Sequence, residues 1–272
     1  MSRMRQLLCA AICYSAVAAL LAQAPAQVIQ GQALEDFLKT APVTASKDLG
    51  QGVTISKRVT LEQGGQKEDA VFKIIDEKPL VGATRLADGT IDAEFQDSWK
   101  TEIAAYELDK MIGLGMVPAT VERRHLGKSG SFQLWVTSMM NEQARQRGNV
   151  KPADPGAWND QMHKLFVFDN LIYNVDRNLG NILMTTDWRM FAIDHSRAFR
   201  PYGKLKDPKL MVRFSRSLMT GLASLNEPML KSRLGAYLTS FQIQGLLKRR
   251  DLIADYAKKL AADKGDAAVY YQ

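Results

Sequence analysis

Cysteine is nearly absent from this sequence. Among its 272 residues only Cys9 and Cys13 carry a thiol, and both lie in an apolar stretch close to the first residue. The rest of the chain can therefore form no disulfide, no cysteine nucleophile and no cysteine-ligated zinc site. A domain without such cross-links has to be held together by its hydrophobic core.

Histidine and several well-known catalytic motifs are also scarce or absent. Three histidines occur, at positions 125, 163 and 195, and their spacing does not match a metal-binding triad. The sequence contains no H-E-x-x-H, G-x-S-x-G, P-loop or dinucleotide-binding motif. These absences argue against zinc peptidases, serine hydrolases, P-loop enzymes and dinucleotide-dependent enzymes.

The positive charge of the chain is spread thinly along the sequence. The formal net charge is +7, and basic pairs such as Lys57-Arg58 and Arg123-Arg124 stand apart, without interleaved aromatic residues. Such pairs are typical of solvated surfaces and not of a nucleic-acid-binding stripe. We therefore expect no nucleic-acid partner.

The first 26 residues have the pattern of a secretory signal peptide. Arg3 and Arg5 precede an apolar run from Leu7 to Leu21, and small residues follow up to Ala26. This run is too short to span a bilayer comfortably, so we expect cleavage after Ala26, with an uncleaved membrane anchor as the alternative. Cleavage would leave 246 residues with a formal net charge of +5 and no segment apolar enough to cross a membrane.

The first half of the remaining chain shows strand and turn signals around one strong helix pattern. Strands are predicted at Gly52–Ser56, Arg58–Leu61, Ala70–Ile75, Thr120–Arg124 and Ser131–Met139. Apolar residues at helical spacing predict a helix over Ser98–Ile112, which Gly113 can end. A short helix at Ala33–Lys39 and a polar linker at Thr40–Lys47 come before the strands. This order indicates a small β-rich unit with one main helix.

The second half is predicted to be mostly helical. Residues 141–158 are polar and contain glycine and proline, which is typical of a connection between two lobes. An apolar helix is predicted over Asp160–Tyr173. Three further helices are predicted at Pro208–Leu222, Glu227–Phe241 and Gln242–Leu260. The last residues, Asp263–Gln272, are predicted to form a loose tail.

A polar loop between the apolar helix and a predicted hairpin carries the clearest chemical signal. Its sequence, DRNLGN, runs from Asp176 to Asn181, and the next apolar strand ends at Asp194. A hairpin turn near Asp187 and Trp188 would set Asn181 opposite Asp194, on one face of an antiparallel pair. Oxygen ligands with room for water suit Mg²⁺ or Mn²⁺ holding a polyphosphate.

Two charged residues in the first half can complete a phosphate-binding site. Lys73 ends an apolar strand, where its ammonium group can hold phosphate oxygens, although a surface lysine on an edge strand is the simpler interpretation of this residue alone. Glu102 on the predicted helix is the candidate partner of Lys73. Glu107 and Asp109 on the same helix remain alternative partners. Most acidic residues on helices simply face water, so a helical position alone does not identify the partner.

Three further residues are candidates for contact with a nucleotide. Gly64 and Gly65 form a glycine turn that can cover phosphates, but a simple hairpin also requires such a turn and the usual G-x-G-x-x-G is absent. Arg177 follows Asp176 and can pair with Asp194 or turn inward, and a surface cation is the simpler interpretation. His195 can line the same site, but we expect it to be a hydrogen-bonded histidine.

The motifs around these residues resemble those of atypical kinases. Residues 176–181 (DRNLGN) and 193–199 (IDHSRAF) resemble the D-R-x-x-G-N and I-D-H/N-G-x-x-F pair of three groups: the phosphatidylinositol 3-/4-kinase-like, the HipA-like and the Four-jointed/Golgi casein kinase-like secretory kinases. Residues 102–110 (EIAAYELDK), with Val117-Pro118 after them, resemble a helix of the secretory group. The resemblance runs from about Lys73 to Phe199. Ser196 departs from it, because these families often have glycine there.

This resemblance implies a fold and a set of residue roles. The fold is an α+β, bilobal, protein-kinase-like fold with a small β-rich N-lobe (residues 27–140) and a mostly helical C-lobe (residues 141–272). Lys73 would bind phosphate, and Glu102 would be its partner or contact the metal indirectly. Asp176 would be the base that accepts the acceptor's proton. Asn181 and Asp194 would hold the metal.

The resemblance also implies an activity. We expect a phosphotransferase that uses ATP with Mg²⁺ or Mn²⁺ and acts on a hydroxyl-bearing acceptor, which can be a protein, a lipid or a sugar. Two alternatives stay open: a catalytically inactive, kinase-fold protein of the cell envelope that binds a nucleotide or another ligand, and an enzyme that transfers AMP. The signal peptide indicates a bacterial protein exported to the periplasm or secreted.

Overall fold

The computed structural model describes residues 29–50, 56–77, 84–85, 91–92 and 96–272. In these ranges an antiparallel sheet with one main helix is followed by a mostly helical half, which confirms the predicted α+β class. The predicted signal peptide and most of the predicted strand at Gly52–Ser56 lie outside them. None of the helices described here combines the length and the apolar composition that crossing a membrane requires.

The elements run as follows. The helices are α1 (Gly31–Thr40), α2 (Trp99–Ile112), α3 (Glu142–Arg147), α4 (Pro155–Ile172), α5 (Arg216–Ser224), α6 (Glu227–Leu234), α7 (Ser240–Lys264) and α8 (Asp266–Val269). The longer strands are β1 (Val43–Asp48), β2 (Ser56–Gln63), β3 (Gln66–Lys73), β8 (Thr120–His125), β9 (Lys128–Leu134), β11 (Ile182–Met184) and β12 (Met190–Ala192). Two-residue strands are β4 (Asp76–Glu77), β5 (Thr84–Arg85), β6 (Ile91–Asp92), β7 (Asp97–Ser98), β10 (Met140–Asn141), β13 (Phe214–Ser215) and β14 (Tyr270–Tyr271).

The first half is built on a five-stranded antiparallel sheet with the order β1-β2-β3-β9-β8. The predicted linker at Thr40–Lys47 is wrong, because β1 occupies most of it. This edge strand keeps most of its side chains exposed and so lacks an alternating apolar pattern. The strand predicted over Ser131–Met139 ends early, at Leu134. In the middle of the sheet, Lys73 at the end of β3 pairs with Ser56 on β2.

Helix α2 forms where the sequence predicts it. Ser98 caps its first turn, accepting the Lys100 N–H on its hydroxyl at 3.2 Å, and Gly113 ends it with a φ of +67°. Ala104 and Ala105 are fully buried, and their small side chains let the helix lie close to the sheet. The helix is thereby held against β8 and β9 with its first turn at the Lys73 end of the sheet.

The second half starts from the long helix α4 and closes with the last strand. The predicted lobe boundary at residue 140 stays a prediction; it falls in β10, which pairs with β11. The segment predicted to connect the lobes contains α3 and the start of α4. The loose tail predicted for Asp263–Gln272 is wrong, because Val269 is fully buried and β14 pairs in parallel with β13. Buried apolar residues of both halves form one continuous core.

A buried arginine ties α7 to the middle of the chain. Arg249 is fully buried, and its guanidinium donates to the carbonyl oxygens of Leu171, Arg200 and Tyr202 at 2.7, 2.9 and 2.5 Å. Burial lowers the pKa of Arg249 to about 10, so the side chain remains charged at neutral pH. These bonds fasten the end of α4 and the segment at residues 200–202 to one helix.

Replacing Arg249 by methionine tests this role. The variant removes three hydrogen bonds to backbone carbonyls, so we expect the free energy of unfolding to fall by about 3 kcal/mol in urea denaturation. Arg233 on α6 is exposed, and Arg233→Met, the control, should change it by no more than about 0.5 kcal/mol. Equal stability of the two variants would contradict the proposed role of Arg249.

Candidate active site

A lysine joins two carboxylates from different halves of the chain. The Lys73 ammonium nitrogen lies 2.5 Å from Glu102 Oε1 and 2.9 Å from Asp194 Oδ1. The Glu102 side chain, in the first turn of α2, is 1% exposed, whereas that of Asp194 is 37% exposed. The cluster therefore has a buried end at Glu102 and an open end at Asp194.

The two other acidic candidates on α2 have different partners. Glu107 pairs with Lys110 at 2.8 Å. Asp109 accepts the backbone N–H groups of residues 115–117 at 2.7 to 2.8 Å and so fixes the turn after the helix. The acid that pairs with Lys73 is thus the one in the first turn.

Mutual attraction keeps the lysine and its buried partner charged. Burial by itself lowers the pKa of Lys73, but Glu102 and Asp194 outweigh burial and raise that pKa above its ordinary value. Burial raises the pKa of Glu102, but Lys73 and His195 outweigh it and bring that pKa well below its usual range. Both groups are therefore ionised at neutral pH.

The hairpin that carries Asn181 and Asp194 has a different register from the predicted one. Strands β11 and β12 pair about Asp187, and the Ile193 N–H donates to the Asn181 carbonyl at 3.0 Å. Ile193, and not Asp194, therefore stands opposite Asn181. The prediction was wrong because it placed the centre of the turn between two residues, which shifts every pair by one.

Asp194 approaches Asn181 by a turn of the backbone instead. Its φ is +62°, in the left-handed region that Asp and Asn tolerate better than most residues. Asp194 Oδ2 lies 3.5 Å from Asn181 Nδ2, although the two residues are not paired in the sheet. The left-handed residue two positions after the end of β12 thus brings the two side chains together.

These two side chains fit a hard divalent cation. Rotating the Asn181 amide by half a turn exchanges its nitrogen and oxygen, which puts two oxygen donors side by side. In the part of the chain that the structure describes, no group of three or more His, Cys, Asp or Glu side chains is arranged to hold a metal. A metal at Asn181 and Asp194 would therefore take its other ligands from phosphates and water, as Mg²⁺ commonly does.

Asp176 lies in a loop that a buried asparagine folds. Helix α4 gives way to the loop at Tyr173, which has a φ of +50°. The next residue, Asn174, accepts the Asp176 N–H at 3.0 Å and donates to Asp169 Oδ1 at 3.2 Å. The Asp176 side chain stays 43% exposed, so its carboxylate is open to an incoming group.

The surroundings of Asp176 suit a proton acceptor. Burial is the main cause that raises the pKa of Asp176 above its ordinary value. Asp194 and Asp97 raise this pKa further, whereas Arg197 and Arg177 lower it. A carboxylate with a raised pKa is a better general base near neutral pH than an ordinary aspartate.

Arg177 braces the loop from inside and does not point at the open end of the cluster. Its guanidinium pairs with Asp169 at 3.0 Å, donates to the Ile193 carbonyl at 2.6 Å and contacts His195 Nε2 at 2.9 Å. The side chain is only 10% exposed. Neither the predicted nucleotide contact of Arg177 nor its pairing with Asp194 fits this placement, because protein groups occupy its donors.

His195 is a buried, hydrogen-bonded residue, as expected. Its backbone N–H donates to Glu102 Oε2 at 3.0 Å. Because Arg177 donates to Nε2, the ring proton belongs on Nδ1, which lies 3.6 Å from the same Glu102 oxygen. The residue after the metal-type aspartate thus helps to hold the partner of Lys73.

The glycine turn at Gly64 and Gly65 lies at the wrong end of the sheet for covering phosphates. Gly65 and Lys73 are separated by the whole of β3, a distance of about 26 Å in an extended strand. The connection between β1 and β2 starts at the Lys73 end, because Ser56 pairs with Lys73 and the Leu49 N–H donates to Ser56 O at 3.1 Å.

That correction identifies a glycine that the sequence interpretation missed. Gly50, with a φ of +60°, opens the β1–β2 connection, whose residues 51–55 lie outside the described ranges. The Gly50-Gln51-Gly52 sequence was available as a signal. The order of the strands decides at which end of the sheet a turn lies, and the sequence does not show that order.

Sequence interpretation also missed a second charged bridge. Arg197 Nε lies 3.1 Å from Asp97 Oδ2, and its NH1 lies 3.4 Å from Asp176 Oδ2. Asp97 precedes α2 by two residues and its side chain is 4% exposed. Arg197 stands inside the IDHSRAF motif, but nothing in the sequence shows that it faces residue 97.

A matched pair of variants at Asp194 tests the left-handed backbone. Neither Asp194→Gly nor Asp194→Ala can bind a metal or Lys73, so they differ only in the backbone that they prefer. We expect the alanine variant to be less stable by about 1 kcal/mol, because alanine resists a positive φ. Urea denaturation measures the difference, and an alanine variant as stable as the glycine variant would contradict it.

Comparisons with known proteins agree with the kinase-like architecture. No protein-family model matches the chain. A curated protein of rice (Oryza sativa subsp. japonica), Phosphatidylinositol 4-kinase gamma 4, is 28% identical over 191 residues, which cover 57% of this chain and 30% of that protein. The chain therefore spans less than a third of the length of this relative.

Solved structures show the likeness in three dimensions. The structure of hydra Fam20 with sugar has a TM-score of 0.65 at 16% identity, covering 88% of this chain and 91% of that chain. The Helicobacter pylori proinflammatory kinase CtkA has a TM-score of 0.48 at 11% identity, covering 84% and 96%, a likeness too distant to carry an argument. The chain therefore shares the fold of the hydra Fam20 structure.

Proposed function

We propose that the protein is an ATP- and divalent-metal-dependent phosphotransferase that acts on a hydroxyl-bearing acceptor. The observation that carries this proposal is the contact of Lys73 with Glu102 and Asp194, at 2.5 and 2.9 Å, together with the exposed carboxylate of Asp176, whose pKa Asp194 helps to raise. A cation for phosphate, an open metal-type carboxylate and a base with a raised pKa are the parts that phosphoryl transfer requires. The kinase-like fold supports the same reaction class.

Each of these residues has one task in the proposed reaction. Lys73 binds phosphate oxygens of ATP, and Glu102 holds its ammonium group in place. Asn181 and Asp194 would hold the metal, which supplies positive charge beside the phosphates when it is bound. Asp176 accepts the proton of the acceptor hydroxyl as its oxygen bonds to the terminal phosphorus and ADP leaves. Positioning and charge stabilisation account for most of the acceleration in such reactions.

The acceptor belongs to a class that we define only by its hydroxyl group. The rice relative is named as a phosphatidylinositol kinase, and the hydra Fam20 structure contains a sugar. Those names describe those proteins, and here they decide which acceptors to test first. A first panel therefore contains phosphoinositides, simple sugars and a protein with exposed serine and threonine residues.

Transfer is tested with the purified protein, γ-labelled ATP, Mg²⁺ or Mn²⁺ and this panel. Asp194→Asn keeps a residue that tolerates a positive φ but removes the charge, so we expect turnover to fall by about a thousandfold. The mass of the product identifies the transferred group, and a gain of AMP would favour nucleotidyl transfer. Nucleotide binding without any turnover would contradict the proposal and support an inactive binding protein.

Asp176 gives the reaction its expected pH dependence. The base has to be deprotonated, and its pKa is raised. The kcat/KM of the wild-type protein should therefore fall towards acid pH with a midpoint above that of an ordinary aspartate. Asp176→Asn should lose this limb and about a hundredfold or more of kcat. Asp263→Asn, at an exposed site near the end of α7, is the control and should keep both.

We also propose that the protein acts outside the cytoplasm. Arg3, Arg5, the apolar run that follows and the small residues up to Ala26 support export. A fusion of residues 1–40 to a reporter that is active only after export should be active. Substitution of Leu20 and Leu21 by arginine should silence it. An inactive fusion with the natural sequence would contradict this placement.

A further inference from the structure

One arginine lies between the proposed base and a buried acid. Arg197 faces Asp97 at 3.1 Å and Asp176 at 3.4 Å, and its side chain is 28% exposed. The proposed function uses neither Arg197 nor Asp97. The two carboxylates differ in their surroundings, because the Asp176 side chain is 43% exposed and the Asp97 side chain only 4%.

This difference decides which of the two carboxylates anchors the arginine. Asp97 Oδ1 is buried and has no hydrogen-bond partner in the described part of the chain, so Arg197 supplies the compensation that its charge requires. Asp176 is hydrated and loses little when its contact opens. Arg197 therefore stays on Asp97 when Asp176 engages an acceptor.

Asp97 itself is fixed by the contacts of its neighbours. The Ser98 N–H and the Thr101 hydroxyl both donate to the Ser196 carbonyl, at 2.9 and 3.0 Å. The Gln96 side-chain amide donates to the Ala198 carbonyl. The start of α2 is thus bonded directly to the residues on both sides of Arg197, which limits the positions that its guanidinium can take.

From this geometry we propose that Arg197, anchored on Asp97, is a positioning residue that sets the orientation of the Asp176 carboxylate. The proposal rests on the proposed function for the role of Asp176 as base. It links the base, in the loop after α4, to Asp97, two residues before α2, and the first turn of this helix carries the partner of Lys73. The phosphate-binding and proton-accepting groups are thereby held relative to one another by a single helix end.

The charged groups around Asp176 set the sign of the expected effects. Arg197 and Arg177 lower the pKa of Asp176, whereas Asp194 and Asp97 raise it. Removing Arg197 therefore shifts the titration of Asp176 to higher pH and releases the carboxylate from its orientation. Asp97→Asn removes the anchor and should weaken the same contact.

The kinetic test is a double-mutant cycle of Asp97→Asn and Arg197→Gln. A misplaced base costs about a hundredfold in rate, so Arg197→Gln should lose about that much of kcat with little change in the KM for ATP. The double variant should be no slower than Arg197→Gln, because both changes break one chain of contacts. Arg197→Lys keeps the charge and should restore part of kcat. Unchanged kcat in Arg197→Gln, or losses that multiply in the double variant, would overturn the proposal.

A second measurement does not depend on activity. The carboxyl ¹³C resonance of Asp176, assigned by its loss in Asp176→Asn, is titrated by NMR in the metal-free protein. Its midpoint should rise in Arg197→Gln, because that variant removes a positive charge that lowers the pKa of Asp176. The matched control is Arg213→Gln, which removes an arginine that pairs with Asp160 at 3.6 Å, and it should leave the midpoint unchanged.

The two measurements separate the two proposals. Absence of any turnover in the wild-type protein would overturn the proposed function alone. A raised Asp176 midpoint in the Arg197→Gln variant would then still support the orienting contact. A midpoint that does not move in Arg197→Gln would overturn the orienting contact, whether or not the protein transfers phosphate.

Discussion

An ammonium group that is largely withdrawn from water is the constraint on which the rest of the structure depends. The Lys73 side chain is 14% exposed, and a charge so placed is costly unless opposite charges surround it. Glu102 on α2 and Asp194, which follows the β11–β12 hairpin, provide these opposite charges. The sheet, helix α2 and the β11–β12 hairpin therefore have to come together at Lys73.

Main-chain bonds hold the residues around that point. The backbone N–H of His195 donates a hydrogen bond to Glu102. The carbonyl of Ile193 accepts one from Arg177, and the carbonyl of Ser196 accepts one from the Ser98 N–H. Farther along the chain, Arg249 donates hydrogen bonds to the carbonyls of Arg200 and Tyr202. The described part of the chain, which contains no cysteine, thus fixes residues 193–202 by charged and polar groups that hydrogen-bond to their backbone.

The parts of this structure that the sequence predicted are those that depend on local spacing. The apolar pattern of α2 and its end at Gly113, the DRNLGN loop and the α+β class could all be predicted. The errors arose where long-range order decides. The edge strand β1 has no apolar face that a sequence pattern could reveal. The end of the sheet at which Gly64 lies depends on the order of the strands. The contact between Arg197 and Asp97 joins residues 100 positions apart.

The positive φ of Asp194 also limits how this protein can change over evolution. At most positions, the loss of a metal ligand leaves the fold intact, so that inactive descendants can carry any small residue. At this position, a residue other than Asp, Asn or Gly would also strain the backbone. Related chains that keep this fold after losing a metal-dependent activity are therefore expected to carry Asn or Gly here. The residue at this position would then distinguish two kinds of inactive relative. A binding protein that descends from an enzyme would keep a residue that tolerates a positive φ, whereas a damaged copy of the enzyme would not.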